Sequence, residues 1–469
     1  MIIYILYKKP AFFNQLIPVY NCPSVKAGIM MTKNLLMGNI RGQLVQLAFP
    51  LLLGNVLQQL YNAVDSIIIG RFVGSTAFAA VGVAGTVMNL FVFMISGVCV
   101  GVSILFAQLY GAQDLDGYRR EVFLALSLGS GFTLVLTILS LMGLPWILRL
   151  IQTPAEVAGE AAAYLRIIFC GFLATYWYNL CAAILRSVGN TRIPLLFLAV
   201  AAAINTGLDL LFVAAFSMGV TGAAAATVIA QLISAACCSA YIWKRIPFAV
   251  FRRQDMAVDG GLLSRTVRFG LVSALQQSSL YIGKLLVQGA VNSLGTACIS
   301  AFTAATRIEG FVNSFGDSGA EAIAIFVAQN TGAGQEKRAE KGFSAGIRMM
   351  AVLCLCVCTA MFYFAPSLIS FFLGGGGQEE IPQGVTYLRI VSCFYLFCFL
   401  GASFIGYFRG TGRVNLPVLG TSLHIAIRVA LSYLLITRLQ LGAVAIATGA
   451  GWIVVVCLHS FFFYKIRKQ

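Results

Sequence analysis

Carboxylates are scarce in this chain: sixteen Asp and Glu stand against thirty-two Lys and Arg, and charged residues of both signs make up only 10% of 469 residues. A water-soluble protein carries about a quarter charged residues, so this deficit excludes an ordinary soluble domain. Histidine is almost missing, with His424 and His459 alone. There is no H-E-x-x-H, no nucleophile elbow and no phosphate-cradling loop with its lysine, which argues against a membrane-embedded enzyme. No filter-like loop repeats, which argues against an ion channel. The thirteen cysteines contain no C-x-x-C pair. Most of them, such as Cys237, Cys238, Cys354, Cys356 and Cys358, fall inside apolar runs and read as buried free thiols. Residues 1–30 have no apolar core followed by a small-residue cleavage site, so no signal peptide is read there. Met30 or Met31 would serve as an alternative start.

What the chain has instead is apolar length. Hydrophobic residues make up 59%, gathered into runs such as LFVFMISGVCVGVSILFA (90–107) and VFLALSLGSGFTLVLTILSLMGL (122–144). A run of about 20 such residues crosses a hydrocarbon core of about 30 Å. Each must satisfy its own backbone hydrogen bonds in lipid, so each reads as a helix. About twelve are present, which predicts an all-α polytopic protein of the lipid bilayer.

The net charge of +16 reads as an orientation signal rather than a nucleic-acid surface. With the N-terminus inside, basic residues fall in every second connection: Arg119 and Arg120, Arg186 and Arg192, the run from Lys244 to Arg268, Lys337 to Arg348, Arg409 and Arg413, and Lys465 to Lys468. The other connections hold Arg71, Arg149 and Arg438. About twenty against three is a strong positive-inside bias, which predicts that both termini are cytoplasmic.

The chain is a duplication. QLAFPLLLGNVLQQLYNAVDSI (46–67) aligns with TVRFGLVSALQQSSLYIGKLLV (266–287), FAQLYGA (106–112) with VAQNTGA (327–333), and LRSVGNTRIP (185–194) with FRGTGRVNLP (408–417). Six spans per half return the chain to its starting side, so the copies are parallel and related by an axis along the membrane normal. That is a transporter architecture, suited to rocking one bundle against the other. The expected division is an N-terminal cytoplasmic tail (1–43), a first six-helix lobe (44–243), a cytoplasmic linker (244–268) and a second lobe (269–469).

Polar stripes run along several spans. In the first, Asn55, Gln58, Gln59, Asn62 and Asp65 cluster on one helical face. Such a stripe must face protein or water. Asp65 lies near the span's C-terminal end, where the helix dipole disfavours a negative charge, so a capping role does not explain it. Span five carries Asn205 and Asp209 four residues apart. Two carboxylates enclosed in one low-dielectric cavity cannot both carry charge cheaply unless a cation is present, which specifies a site for H⁺ or Na⁺. Tyr164, Asn179 and Thr227 on neighbouring spans could add oxygens. The alternative is that Asp65 and Asp209 are structural, each hydrogen-bonded within the bundle. No cofactor is expected apart from the coupling ion.

The second half holds cations instead. Span seven presents Gln277, Tyr281, Lys284 and Gln288 on one face, span eight carries Arg307 and the slanted row Glu309, Asn313, Asp317 and Glu321, and Arg428 takes the position equivalent to Asn205. Lys284, Arg307, Glu309 and Arg428 either pair internally between helices or have a substrate or gating role. With Asn55, Gln58, Gln59, Asn62, Gln277, Tyr281 and Gln288 they are the candidate lining of a substrate cavity. His424 reads as a core histidine, and Gly97 with Gly101 as a close-packing motif.

FPLLLGNVLQQLYNAVDSIIIGRFVG, AQLYGA, LRSVGNTRIP and their second-half echoes resemble the multidrug and toxic compound extrusion (MATE) family, in its DinF-like bacterial branch. The resemblance covers the chain from about Met37 to Phe463. It implies a twelve-helix, two-lobed exporter that expels amphipathic, often cationic compounds in exchange for inward Na⁺ or H⁺. It also implies a cation site at Asp65, Asn205 and Asp209, with Tyr164 and Thr227 matching further members by position. The NorM-like branch instead places acidic residues in spans seven and ten. Here span seven has Lys284 and span ten, roughly 384–408, has no carboxylate. The expected partners are the bilayer and a small-molecule substrate, with the protein acting as a monomer. A lipid-linked-precursor flippase of similar architecture is the rival reading, because anionic head groups need cations such as those of the second half.

Overall fold

The computed structural model describes residues 35–373 and 380–468. The readings made for residues 1–30 lie outside them. The first half runs through α1 (Ile40–Phe72), α2 (Ser75–Gly111), α3 (Leu115–Leu150), α4 (Ala155–Cys170), α5 (Phe172–Ser187), α6 (Arg192–Asp209) and α7 (Gly219–Arg245). The second runs through α8 (Gly260–Asn292), α9 (Thr296–Gly332), α10 (Glu336–Leu373), α11 (Glu380–Ser392), α12 (Tyr395–Gly410), α13 (Asn415–Leu439) and α14 (Leu441–Arg467). Side-chain caps start three of these helices where the sequence supplies Asx residues. Asn39 accepts from the Arg41 amide, Asp114 from Gly117, and Asp259 from Gly261 and Leu262.

Among the described residues, eight helices are long and apolar enough to cross a membrane. Two more spans are bent pairs, α4 with α5 at 47° and α11 with α12 at 52°, in equivalent places of the two halves. The remaining spans are α8 and α9, the counterparts of α1 and α2. They fall short on apolarity because they carry Gln276, Gln277, Lys284 and Gln288, and Arg307, Glu309, Asp317 and Glu321. Twelve spans in two sets of six result.

The duplication is written in the backbone as well. Left-handed residues recur at matching turns: Gly74 (φ 117°) with Gly295 (φ 90°), Gln113 (φ 58°) with Gly334 (φ 70°), Gly189 (φ 78°) with Gly412 (φ 80°), and Gly219 (φ 60°) with Gln440 (φ 47°). Glycine holds most of these places because its missing Cβ removes the steric penalty there.

Two large hydrophobic cores form, with a small cluster of Ile104, Leu105, Phe269 and Ala324 between them. One is built from α2 to α7 around Phe106, Tyr118, Phe169, Phe172 and Tyr176. The other is built from α8 to α14 around Phe326, Phe343, Tyr387, Tyr395 and Phe399. The first helix of each half reaches across: Leu44, Leu47 and Leu51 of α1 pack in the second core, and Ala274 of α8 packs in the first. The segment between the halves is folded onto the first half. Arg119 binds both Asp116 and Asp255, with 3.1 Å to the latter, and Phe248 contacts Tyr110 and Tyr118.

The halves meet tightly at the end of the bundle that carries the start of α1 and the end of α14. A Cβ on Gly111 would strike the Gln329 carbonyl, and one on Gly332 would strike the Gln108 carbonyl. Gln108 and Gln329 are themselves repeat equivalents, so α2 and α9 cross in a reciprocal glycine contact. Gly97 and Gly101 likewise let α2 lie against the α8 backbone at Ala274 and Phe269. In lipid, where apolar surface alone does not drive helices together, such small-residue contacts let backbones approach. His424 is buried and stacks on Trp452 with the rings 6° from parallel.

Candidate functional site

Asp65 and Asp209 come from α1 and the end of α6, and their carboxyl groups stand within hydrogen-bond reach of each other. Asp209 is fully buried and Asp65 half-buried. Helix geometry places Asp209 carefully. It is the last residue of α6, and residues Leu210–Ala215 continue as a π-helical turn, with Phe216 N–H donating to the Leu211 carbonyl at 2.9 Å. Such wide turns change the register of a helix and are frequent at functional sites.

Around the pair the donors and acceptors are few. The Asn205 amide donates from Nδ2 to Asp209 Oδ2 at 2.9 Å, and its Oδ1 accepts from the Thr227 amide at 3.2 Å. Tyr61 lies within hydrogen-bond reach of Thr227 and faces both carboxylates. Tyr164, 2% exposed, faces the same two acids. Asp65 Oδ1 and Asp209 Oδ1 are both buried, and neither takes a hydrogen bond among the described residues. Two orphaned carboxylate oxygens with tyrosine, threonine and amide oxygens at hand make a donor set for a hard cation or a proton. Asn179 stands apart from this set in its bonding, since its amide donates to Thr175 O of its own helix at 2.8 Å.

The second half carries a longer chain of charges. Glu309, 7% exposed, accepts from Tyr387 at 3.0 Å and from Tyr395 at 3.1 Å. Arg428 lies beside Glu309 and Tyr387. Lys284 faces Asp317, Arg428 and Glu309. Asp317 faces Arg409 as well, and Arg409 donates to Gln276 Oε1 at 2.9 Å. Glu321 closes the chain with an ion pair to Arg186 of the first half.

The remaining predicted residues divide by depth. Asn55 donates to Ser318 Oγ at 3.0 Å across the halves, and Gln59 faces Gly310. Beyond that level Asn62 on α1, Lys284 on α8 and Thr303 and Arg307 on α9 are exposed, as expected where the halves draw apart into a cleft. Gln58 donates to Asn62 at 3.4 Å and Gln288 to Asn292 at 3.0 Å, each along its own helix. Gln277 is half-buried, and Tyr281 rests against Phe93 with ring centroids 5.7 Å apart.

Tyr61, Arg186, Gln276, Asp317, Glu321 and Arg409 belong to these networks and escaped the sequence-based selection of site residues. A signal existed for some of them. Arg186 and Arg409 align in the repeat, and Asp317 and Glu321 continue the slanted row from Glu309.

The MatE family model matches this chain twice, over residues 50–211 and 273–434, one copy in each half. A probable multidrug resistance protein of Bacillus subtilis (strain 168), YpnP, is 28% identical over 381 residues, covering 80% of this chain and 84% of its own. A MOP superfamily transporter from Pyrococcus furiosus, described as having a binding pocket of reversed polarity that suggests a different function, superposes with a TM-score of 0.85 at 23% identity. The match covers 96% of this chain and 98% of the other. A MATE structure in the bent conformation gives 0.86 at 24% identity, over 94% and 97%. The twelve-span duplicated architecture and the doubled family match make this chain a member of the multidrug and toxic compound extrusion family, a multi-pass membrane transporter and not an enzyme.

Proposed function

We propose that this chain is a secondary antiporter that expels amphipathic small molecules in exchange for inward Na⁺ or H⁺ taken up at Asp65 and Asp209. The observation that carries the reading is the facing pair of carboxyl groups with two buried, unbonded oxygens. An arriving cation satisfies both oxygens and removes the repulsion between the acids. The pair then has a different charge state in the loaded and unloaded protein, and such a difference can bias two arrangements of the halves. The membrane potential adds about 2.3 kcal/mol per charge per 100 mV.

Residues 44–243 and 269–469 act as the two rocking lobes, with α1 and α8 as the helices that span the joint. The bias of Lys and Arg toward alternate connections supports placing both termini in the cytoplasm of a bacterial cell, in its plasma membrane. With that orientation, the glycine crossing closes the cytoplasmic end and the cleft opens outward. The two halves supply both sides of the cleft within one chain, which supports a monomeric transporter. The acid pocket also fits the DinF-like pattern, with the coupling site in the first lobe.

The test is transport in vesicles of purified protein under an isolated sodium gradient and an isolated proton gradient. Efflux of an amphipathic dye driven by either one establishes the antiport and names the ion. Dye movement indifferent to both overturns it. The cations of the second half favour the flippase as the second reading. Translocation of a lipid-linked substrate without ion dependence would support that reading instead.

A further inference from the structure

The second half carries an excess of positive charge on α8, α9 and α13. Lys284 on α8 and Arg307 on α9 are exposed, and Arg428 on α13 is half-buried. Arg307 shares a helical face with Thr303, Gly310 and Asp317, the face that meets α1 through Gly310 and Gln59. None of the three cations has a carboxylate within ion-pair distance among the described residues, whose ion pairs involve Arg119, Arg186 and Arg467.

Two acids lie among them and offset part of this charge. Both oxygens of Glu309 take tyrosine hydroxyls. Asp317 faces both Lys284 and Arg409. Arg428 Nε is buried with no hydrogen-bond partner. Lys284, Arg409 and Arg428 against the carboxylates of Glu309 and Asp317 leave this cluster one positive charge in excess, before Arg307 is counted. The cost of an unbonded guanidinium nitrogen falls on the half-buried Arg428, and an anion entering from outside would relieve it. A guanidinium presents a fork of donors matched to carboxylate and phosphate, and an ammonium adds a point charge.

We propose that Lys284 and Arg428, with Arg307 nearer the mouth of the cleft, form a subsite for an anionic group, a carboxylate or a phosphate, on the transported compound. The proposal rests on the antiport reading and narrows its cargo to amphipathic anions, or to zwitterions whose negative end is held here. The coupling cation and the cargo's charge then occupy opposite halves, acids in the first and bases in the second. A purely cationic cargo would meet repulsion on the second-half side of the cleft.

The experiment uses the full chain in liposomes with carboxyfluorescein as an anionic probe, ethidium as a cationic one and a fluorescent phosphatidylserine as a lipid headgroup. Anisotropy of carboxyfluorescein with the purified protein, read without any gradient, reports the subsite alone. Gradient dependence of its transport reports the antiport. The wild type should bind and move carboxyfluorescein in preference to ethidium, and Lys284→Gln and Arg307→Gln should each raise the apparent KM about tenfold, the loss expected for one charged contact. Arg307 is exposed with no ion-pair partner among the described residues, so its variant tests the subsite without disturbing the fold. Phosphatidylserine movement lost in Lys284→Gln would keep the subsite and assign its ligand to lipid. Failure of carboxyfluorescein and phosphatidylserine to bind or move, or equal handling by wild type and both variants, would overturn the proposal. Binding of the anion without gradient-driven transport would instead sink the antiport and leave the subsite standing.

Discussion

Arg186 Nη1 stands 2.6 Å from Glu321 Oε1, an ion pair that joins the two halves toward the closed end of the cleft. Arg409, the repeat equivalent of Arg186, approaches the same acidic stretch from within the second half, facing both Asp317 and Glu321. One duplicated arginine therefore acts across the joint and the other within its own half. The asymmetry arises because α9 keeps Glu321 where α2 has Val100.

Glu321→Gln should loosen the closed end. Both partners are about one-quarter exposed, so the loss is about 1–3 kcal/mol, below that of a fully buried pair. Spin labels at Gln113 and Lys337, on the two sides of that end, would read the change as a broadened and longer distance distribution. An unchanged distribution would show that the glycine crossing alone holds the end shut.

Asp65→Asn should abolish gradient-driven efflux while leaving the protein folded and inserted, because an amide cannot change charge on cation binding. Dye efflux in vesicles and monodispersity in detergent check the two halves of the statement. Full transport by the variant would remove Asp65 from the coupling role.

Asn205→Ala and Thr227→Val separate positioning from charge. Asn205 donates to Asp209 Oδ2, and a hydrogen bond to a charged group contributes about 1.5–3 kcal/mol. The alanine variant should need about tenfold or more coupling cation for half-maximal transport, with maximal rate largely kept. Thr227→Val retains the backbone amide that Asn205 accepts from, so its effect should be smaller. Cation titrations of transport would rank the two, and the reverse order would contradict the geometry.

Gly332→Val should prevent full closure of the same end, because a side chain there meets the Gln108 carbonyl of α2. Gly111→Val should act alike through Gln329. Each should lower turnover sharply while leaving anion or cation binding at the open side in place. If either variant turned over normally, the reciprocal contact would have no part in the transport cycle.

Much of this molecule was legible before any coordinates. Apolar run length implied the helices, since lipid leaves a spanning backbone no other way to satisfy its hydrogen bonds. The aligned motifs implied two parallel halves, because a duplication of an even number of spans must keep its orientation. The polar stripe ending at Asp65 and the Asn205–Asp209 pair were visible as a helical period, which depends on spacing alone.

Tertiary structure decided which stripes face each other. Helical period places Asp65 on a face of α1 but is silent on the neighbour, and only the packing of α1 beside α6 and α7 sets it against Asp209 and Thr227. The π-helical turn after Asp209 has no signature in residue spacing, because it comes from a backbone register that packing selects. The partnership of Arg186 with Glu321 also lay beyond one-dimensional reading, since the two are 135 residues apart and meet only where the halves close. Residue order determined which charges this bundle had to bury, and the crossing of its helices determined which of them would be left without a partner.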